Sequence, residues 1–119
     1  MILVDTSIWV DHFRKGNRQL VHLLEDGEVV CHYFIIGELA CGIINNRIEI
    51  LSLLQSLPTI PTIDLDEYLY FIDKNRLFGF GIGFVDINLL ASAKLVDIPI
   101  WTKDKKLREA AIKLKVSFQ

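Results

Sequence analysis

A chain of 119 residues fits one domain and leaves little room for a second. About half of it is apolar (51%), enough for a sizeable core, and a formal net charge of −2 does not advertise nucleic-acid binding. Two cysteines ten residues apart exclude a disulfide framework, and the histidines show no zinc-ligand spacing.

From the N-terminus, Ile2-Leu3-Val4 reads as a short buried strand. Asp5-Thr6-Ser7 opens a helix through about Phe13, because these side chains satisfy the free N–H groups of a helix start. Gly16-Asn17 breaks the chain, and a second helix runs from about Arg18 to Glu25. Asp26-Gly27 turns into a second strand, Val29-Val30-Cys31. Residues 33–44 are apolar nearly all round and read as a buried helix, ended by Asn45-Asn46. An amphipathic helix covers about 47–56. Pro58 and Pro61 frame Thr59 to Ile63, an expected third strand near an edge. Asp64 and Glu67 form a capping box that opens a helix with Leu65, Leu69 and Ile72 on one face, ending near Gly79. After a flexible glycine-rich loop, Asp86 starts a helix through about Val96. Ile98 to Trp101 is a strand, Thr102 caps a last helix from about Lys103 to Lys113, and Val116 to Phe118 adds a short strand. Strands alternating with helices predict an α/β/α sandwich with a central parallel sheet, in one domain spanning 1–119.

Charge is distributed unevenly. Residues 1–93 carry a net charge of −6 and residues 94–119 a net charge of +4, so a basic end sits beside an acidic body. Such an end can touch phosphates while the acidic part holds cations. Cys31 and Cys41 both lie in apolar stretches and are expected to be small buried hydrophobes. Free thiols, no signal-peptide pattern and no apolar run of membrane-spanning length predict a cytoplasmic protein with no membrane contact.

Four carboxylates carry the functional argument: Asp5, Glu38, Asp86 and Asp104. Asp5, Asp86 and Asp104 stand where an apolar run gives way to a helix start. Each alone is explained as a cap or a charge favoured by the helix dipole. Glu38 is the only charged residue between Tyr33 and Ile44, and a carboxylate in an apolar helix needs a partner. That partner is either an arginine such as Arg47 or a bound cation. Taken together, three acids at strand ends and a fourth leaning over them make an oxygen-only site. Such a site selects Mg²⁺ or Mn²⁺ over zinc and suits phosphodiester cleavage. Hydroxyls accompany two of the acids, Ser7 beside Asp5 and Thr102 beside Asp104.

The segments Ile2 to Trp9, Gly37-Glu38-Leu39, Asp86 to Ala93 and Thr102-Lys103-Asp104 together resemble the PIN-domain proteins, and specifically the VapC-type toxin ribonucleases of toxin–antitoxin modules. The resemblance covers essentially the whole chain. It implies a PIN-like parallel sheet of about five strands flanked by helices. It also implies an Mg²⁺- or Mn²⁺-dependent endoribonuclease whose acidic quartet is Asp5, Glu38, Asp86 and Asp104, supported by Ser7 and Thr102. Its partners would be an RNA substrate, a cognate antitoxin and a second copy of the chain, with the helices at 18–25 and 47–56 as candidate contact surfaces. Two alternatives follow from the residues. One is a catalytically silent PIN-like binding module. The other is a phosphoacceptor receiver domain, which wants an adjacent acidic pair after the first strand, where Thr6-Ser7 stands here.

Overall fold

The computed structural model describes residues 1–118 and places the N-terminal apolar run at the centre of a parallel sheet. Strand β1 (Ile2–Val4) is buried along its whole length, as a strand covered by helices on both faces must be. It pairs on one side with β2 (Val29–Val30) and on the other with β3 (Ile100–Trp101), giving the order β2-β1-β3. Between them run α1 (Thr6–Lys15), α2 (Arg18–Glu25), α3 (Tyr33–Ala40), α4 (Arg47–Ser56), α5 (Leu65–Asn75) and α6 (Phe84–Val96), with α7 (Lys105–Lys113) after β3.

The sheet has three strands where about five were expected. The two missing strands are present only as single bridges. Cys31 pairs with Thr59 outside β2, and Ile100 pairs with Ser117 outside β3. Each flank makes two backbone hydrogen bonds and stops: Cys31 N–H to Pro58 O and Ile60 N–H to Cys31 O on one side, Ile100 N–H to Val116 O and Phe118 N–H to Ile100 O on the other. Pro58 and Pro61 have no N–H to extend the first ladder, which keeps it to one bridge.

Helix α6 is the most deeply covered helix, buried from Ile87 through Ala93. It packs against α5 and α7, while α1 and α4 pack on α3. Helix α6 begins at Phe84 rather than at Asp86. Gly83 holds the extended cap position, so Asp86 sits in the first turn and faces the positive end of the dipole. The last helix is capped by Asp104, whose Oδ1 accepts from Leu107 N–H, rather than by Thr102. The capping box of Asp64 and Glu67 forms as expected. Helix α5, however, ends at Asn75 with Arg76 in the left-handed region, and Leu65 and Leu69 point to solvent while Tyr68, Phe71 and Ile72 lean on the core.

Helix α3 departs most from expectation. It ends at Ala40, because the Arg47 guanidinium takes the freed carbonyls of Ala40 and Gly42 that another turn would have used. Only Ile35 and Leu39, one turn apart, are buried in it; Tyr33 and Glu38 are exposed. The apolar stretch is therefore a surface helix with an uncovered greasy side, not a buried one. Cys41, just past its end, is exposed, whereas Cys31 is buried as expected. No helix among the described residues is long and apolar enough to cross a membrane.

Candidate metal centre

The carboxyl ends of β1 and β3 lie side by side, and the residues that follow them build one network. Asp5 ends β1, caps α1 and is only 5% exposed. Its Oδ2 accepts from Thr102 Oγ1 at 2.7 Å and from Ser7 Oγ at 2.9 Å. Both hydroxyl protons are spent on that one oxygen, so the 3.2 Å contact between Ser7 Oγ and Thr102 Oγ1 is a contact only. Ser7 Oγ in turn accepts from Lys103 N–H, and Thr102 Oγ1 from Asp104 N–H. The β1–α1 and β3–α7 junctions are thereby stitched together. Among the described residues, Asp5 Oδ1 and Asp104 Oδ2 accept no hydrogen bond and remain free as ligands.

The other two carboxylates come from helices. Glu38 reaches back from α3, where its Oε1 accepts from Thr6 Oγ1 at 2.8 Å. It does not pair with Arg47, whose guanidinium is used on the backbone. Thr6 was invisible to sequence reasoning as a site residue. A threonine in the first turn of a helix gives no sign that it reaches a residue 32 positions later.

Asp86 is half-buried, and its carboxyl is pushed up to about 6 from 3.8. Burial is the main cause, followed by the like charges of Asp5, Asp104 and Glu38. All four acids therefore share one field. Yet among the described residues no three histidine, cysteine, aspartate or glutamate side chains stand close enough to hold one ion between them. The two observations agree once range is considered. Coulomb repulsion acts over many ångströms and keeps carboxylates apart, whereas ligation needs oxygens within about 2.0–2.6 Å of one ion. Closing that gap takes side-chain rotation, which the exposed Glu38, held by one hydroxyl contact, can make. The donor set fits a hard divalent cation: oxygen only, largely anionic and pre-charged.

Of the seven basic side chains from Lys94 onward, four are engaged in the fold. Lys103 pairs with Asp11, Lys94 donates to Leu114 O, Arg108 to Thr102 O and Lys113 to Asn75 O. Lys105 and Lys106 open α7 directly after Asp104 and are exposed, which leaves positive charge at the rim of the acidic edge.

A groove of about 550 Å³ opens beside Glu38, between α1, α3 and residues 42–45. Its walls include Val10, Phe13, Leu39 and Ile43, with Arg14 at the rim. A second groove lies between α5 and α6, lined by Tyr70, Phe71 and Leu95 with Asp66, Glu67 and Lys94 among its walls.

Comparison with known proteins gives a consistent result. The PIN-domain family profile matches residues 2–113. Ribonuclease VapC32 of Mycobacterium tuberculosis is 47% identical over 111 residues, spanning 92% of this chain and 90% of its own. Ribonuclease VapC1 of Methanocaldococcus jannaschii is 31% identical over 121 residues, spanning 95% of this chain and 85% of its own. The crystal structure of PAE2754 from Pyrobaculum aerophilum superposes with a TM-score of 0.68 at 16% identity, over 98% of this chain and 87% of that one.

Proposed function

The chain belongs to the PIN-domain family, among its VapC-type ribonucleases, and on that premise we propose that it is the endoribonuclease toxin of a toxin–antitoxin pair, cutting RNA at the acidic edge described above. The observation that carries this reading is the convergence of four carboxylates on one edge: the Asp86 carboxyl is raised first by its own burial and then by Asp5, Asp104 and Glu38, which come from three other elements. Such a concentration of negative charge is costly by itself and is relieved by a cation.

Asp5, Glu38, Asp86 and Asp104 would hold Mg²⁺ or Mn²⁺. Bound there, the ion would neutralise the scissile phosphate and lower the pKa of an attacking water. The chain's own part is positioning. Ser7 and Thr102 spend their protons on Asp5 Oδ2, which leaves Oδ1 without a hydrogen bond among the described residues. Lys105 and Lys106 add positive charge where a phosphate backbone would pass. No side chain with a neutral pKa is required, in keeping with the lack of a histidine at the edge.

The groove beside Glu38 supports the antitoxin as partner. Its apolar walls suit an amphipathic segment, and Glu38 at its end suits a basic side chain on that segment. This location differs from the α2 and α4 surfaces named above as candidates for the dimer or antitoxin contact. Exposed Leu65, Leu69 and Tyr70 on α5, with Leu95 on α6, support self-association into a homodimer. A cytoplasmic location completes the reading.

The test is direct. Purified protein should cleave a structured RNA with Mg²⁺ or Mn²⁺ and stop in EDTA. Asp5→Asn should lower cleavage by roughly a thousandfold or more, since several kcal/mol of transition-state charge stabilisation goes with the ligand. Equal cleavage in EDTA would overturn the reading. An RNA left intact under all metal conditions would favour the silent binding module.

A further inference from the structure

His32 and Ser92 take no part in the acidic edge, yet each stands six residues from one of its carboxylates. His32 precedes Glu38 at the entrance to α3, and Ser92 follows Asp86 along α6. Both side chains are fully buried, at 0% exposure. His32 Nδ1 accepts from Phe34 N–H at 3.0 Å and so caps α3. An amide N–H only donates, so Nδ1 carries no proton and Nε2 does. Nε2 lies 3.0 Å from Ser92 Oγ and donates to it. One imidazole thus closes the start of the Glu38 helix and ties it to the Asp86 helix. Phe34 stands edge-on to the ring, with centroids 5.2 Å apart, and fixes its plane. Burial pushes the imidazole down to about 4, which keeps it in the neutral form that this geometry needs.

Apolar packing in the shared core, with Ile35 and Leu39 from α3 and Ile87 and Leu90 from α6, also holds the two helices together, but it is non-directional. Among the described residues no backbone hydrogen bond joins α3 to α6. Their other named tie is the stack of Phe34 on Phe84, at 5.9 Å between centroids. Stacked rings can slide, whereas a hydrogen bond is specific in length and direction.

We propose that the His32–Ser92 hydrogen bond is a positioning link that sets the spacing of Glu38 and Asp86 for the cation. The link deepens the metal-centre reading and rests on it for its purpose. Its geometry can be tested apart from that reading. Spin labels placed on Cys41 and on Leu95→Cys, both exposed sites, report the distance between the end of α3 and α6, with labelled protein diluted in unlabelled protein so that pairs across a homodimer do not contribute. Cys31 is buried with its thiol pushed up to about 11, so it stays unlabelled at neutral pH.

Ser92→Ala keeps the cap and removes the link. The label distance should broaden or shift, and the Mg²⁺ concentration for half-maximal cleavage should rise roughly three- to tenfold, while kcat at saturating Mg²⁺ stays within about twofold. His32→Asn, whose short amide can still cap α3 but falls short of Ser92, should behave alike. A lower melting temperature with an unchanged distance and an unchanged Mg²⁺ midpoint in both variants would overturn the proposal and leave the pair a packing feature. A parent protein with neither Mg²⁺-dependent melting nor cleavage would instead overturn the metal-centre reading, and the label distances would still accept or reject the link.

Discussion

The acidic edge has two halves built on different principles. At the strand ends, Asp5 is buried and gripped by two hydroxyls, and those hydroxyls are gripped in turn by the backbone of Lys103 and Asp104. Across the gap, Glu38 stands on an exposed helix surface with one hydroxyl contact, from Thr6. The first half keeps its geometry whether or not a ligand is bound, because every donor in it is already committed. The second half is adjustable. A site that must collect a cation against its own repulsion gains from this division, since a rigid half sets the coordinates and a mobile half closes on them.

The largest difference between the halves should appear on removing their hydroxyls. Thr102→Val keeps the shape of the side chain and takes one proton from Asp5 Oδ2 and one acceptor from Asp104 N–H. Loss of such an orienting partner typically costs about 10- to 100-fold in metal affinity or activity. The expected result is a loss of that size in cleavage and in Mg²⁺ binding by calorimetry. A change below about threefold would mean that the strand-end half is no more constrained than Glu38.

Proton competition gives the next effect in size, centred on Asp86. Its carboxyl is raised in the fold to about 6, against 3.8 unfolded. Between those values the folded chain holds the extra proton, so the stability that the neutral form contributes is full below pH 3.8 and is lost as pH rises through 6. Metal-free protein should therefore be less stable at pH 7 than at pH 5 by at most about 1 kcal/mol from this group, after allowance for solvent screening. Cation binding should run the opposite way, about tenfold tighter at pH 7 than at pH 5, because the proton no longer competes. Melting curves in EDTA and in Mg²⁺ at the two pH values measure both. Asp86→Asn should flatten both dependences, and parallel curves in the parent protein would show that the four acids do not share a field.

The two halves also differed in how far the sequence revealed them. The strand-end half was legible: Asp5, Ser7, Thr102 and Asp104 occupy turns where short polar side chains follow apolar runs, and local spacing defines such turns. Even there Thr102 was read as a helix cap, because a hydroxyl before a helix looks the same whether it holds its own helix or reaches across to Asp5. The helix half was misread in its physics. Glu38 was singled out as a buried charge, yet α3 buries only Ile35 and Leu39 and leaves Glu38 exposed. Apolar residues all round a helix mean that something covers it, and a single chain cannot say whether the cover comes from itself or from a partner. His32 was passed over for a related reason. Its cap is local, but Ser92 lies 60 positions away, and no pattern in sequence connects them.

The smallest effect belongs to the tether of Glu38. Thr6→Val removes the only side-chain donor that Glu38 has among the described residues. Glu38 is exposed, so the freed carboxylate is resolvated and no buried group is left unsatisfied, which keeps the stability change within about 0.5 kcal/mol. The cost in function is entropic: the side chain must be ordered when the cation binds, at about 1–2 kcal/mol for an unrestrained glutamate and less where packing already limits it. Against that stands a gain, because the same hydroxyl must let go of Oε1 before that oxygen can ligate. The two terms nearly offset, and the expected result is a change in the Mg²⁺ midpoint of about threefold or less with an unchanged melting temperature. A loss as large as that of Thr102→Val would show that the helix side of the edge is held as firmly as the strand side, and the division into a rigid and a mobile half would fail.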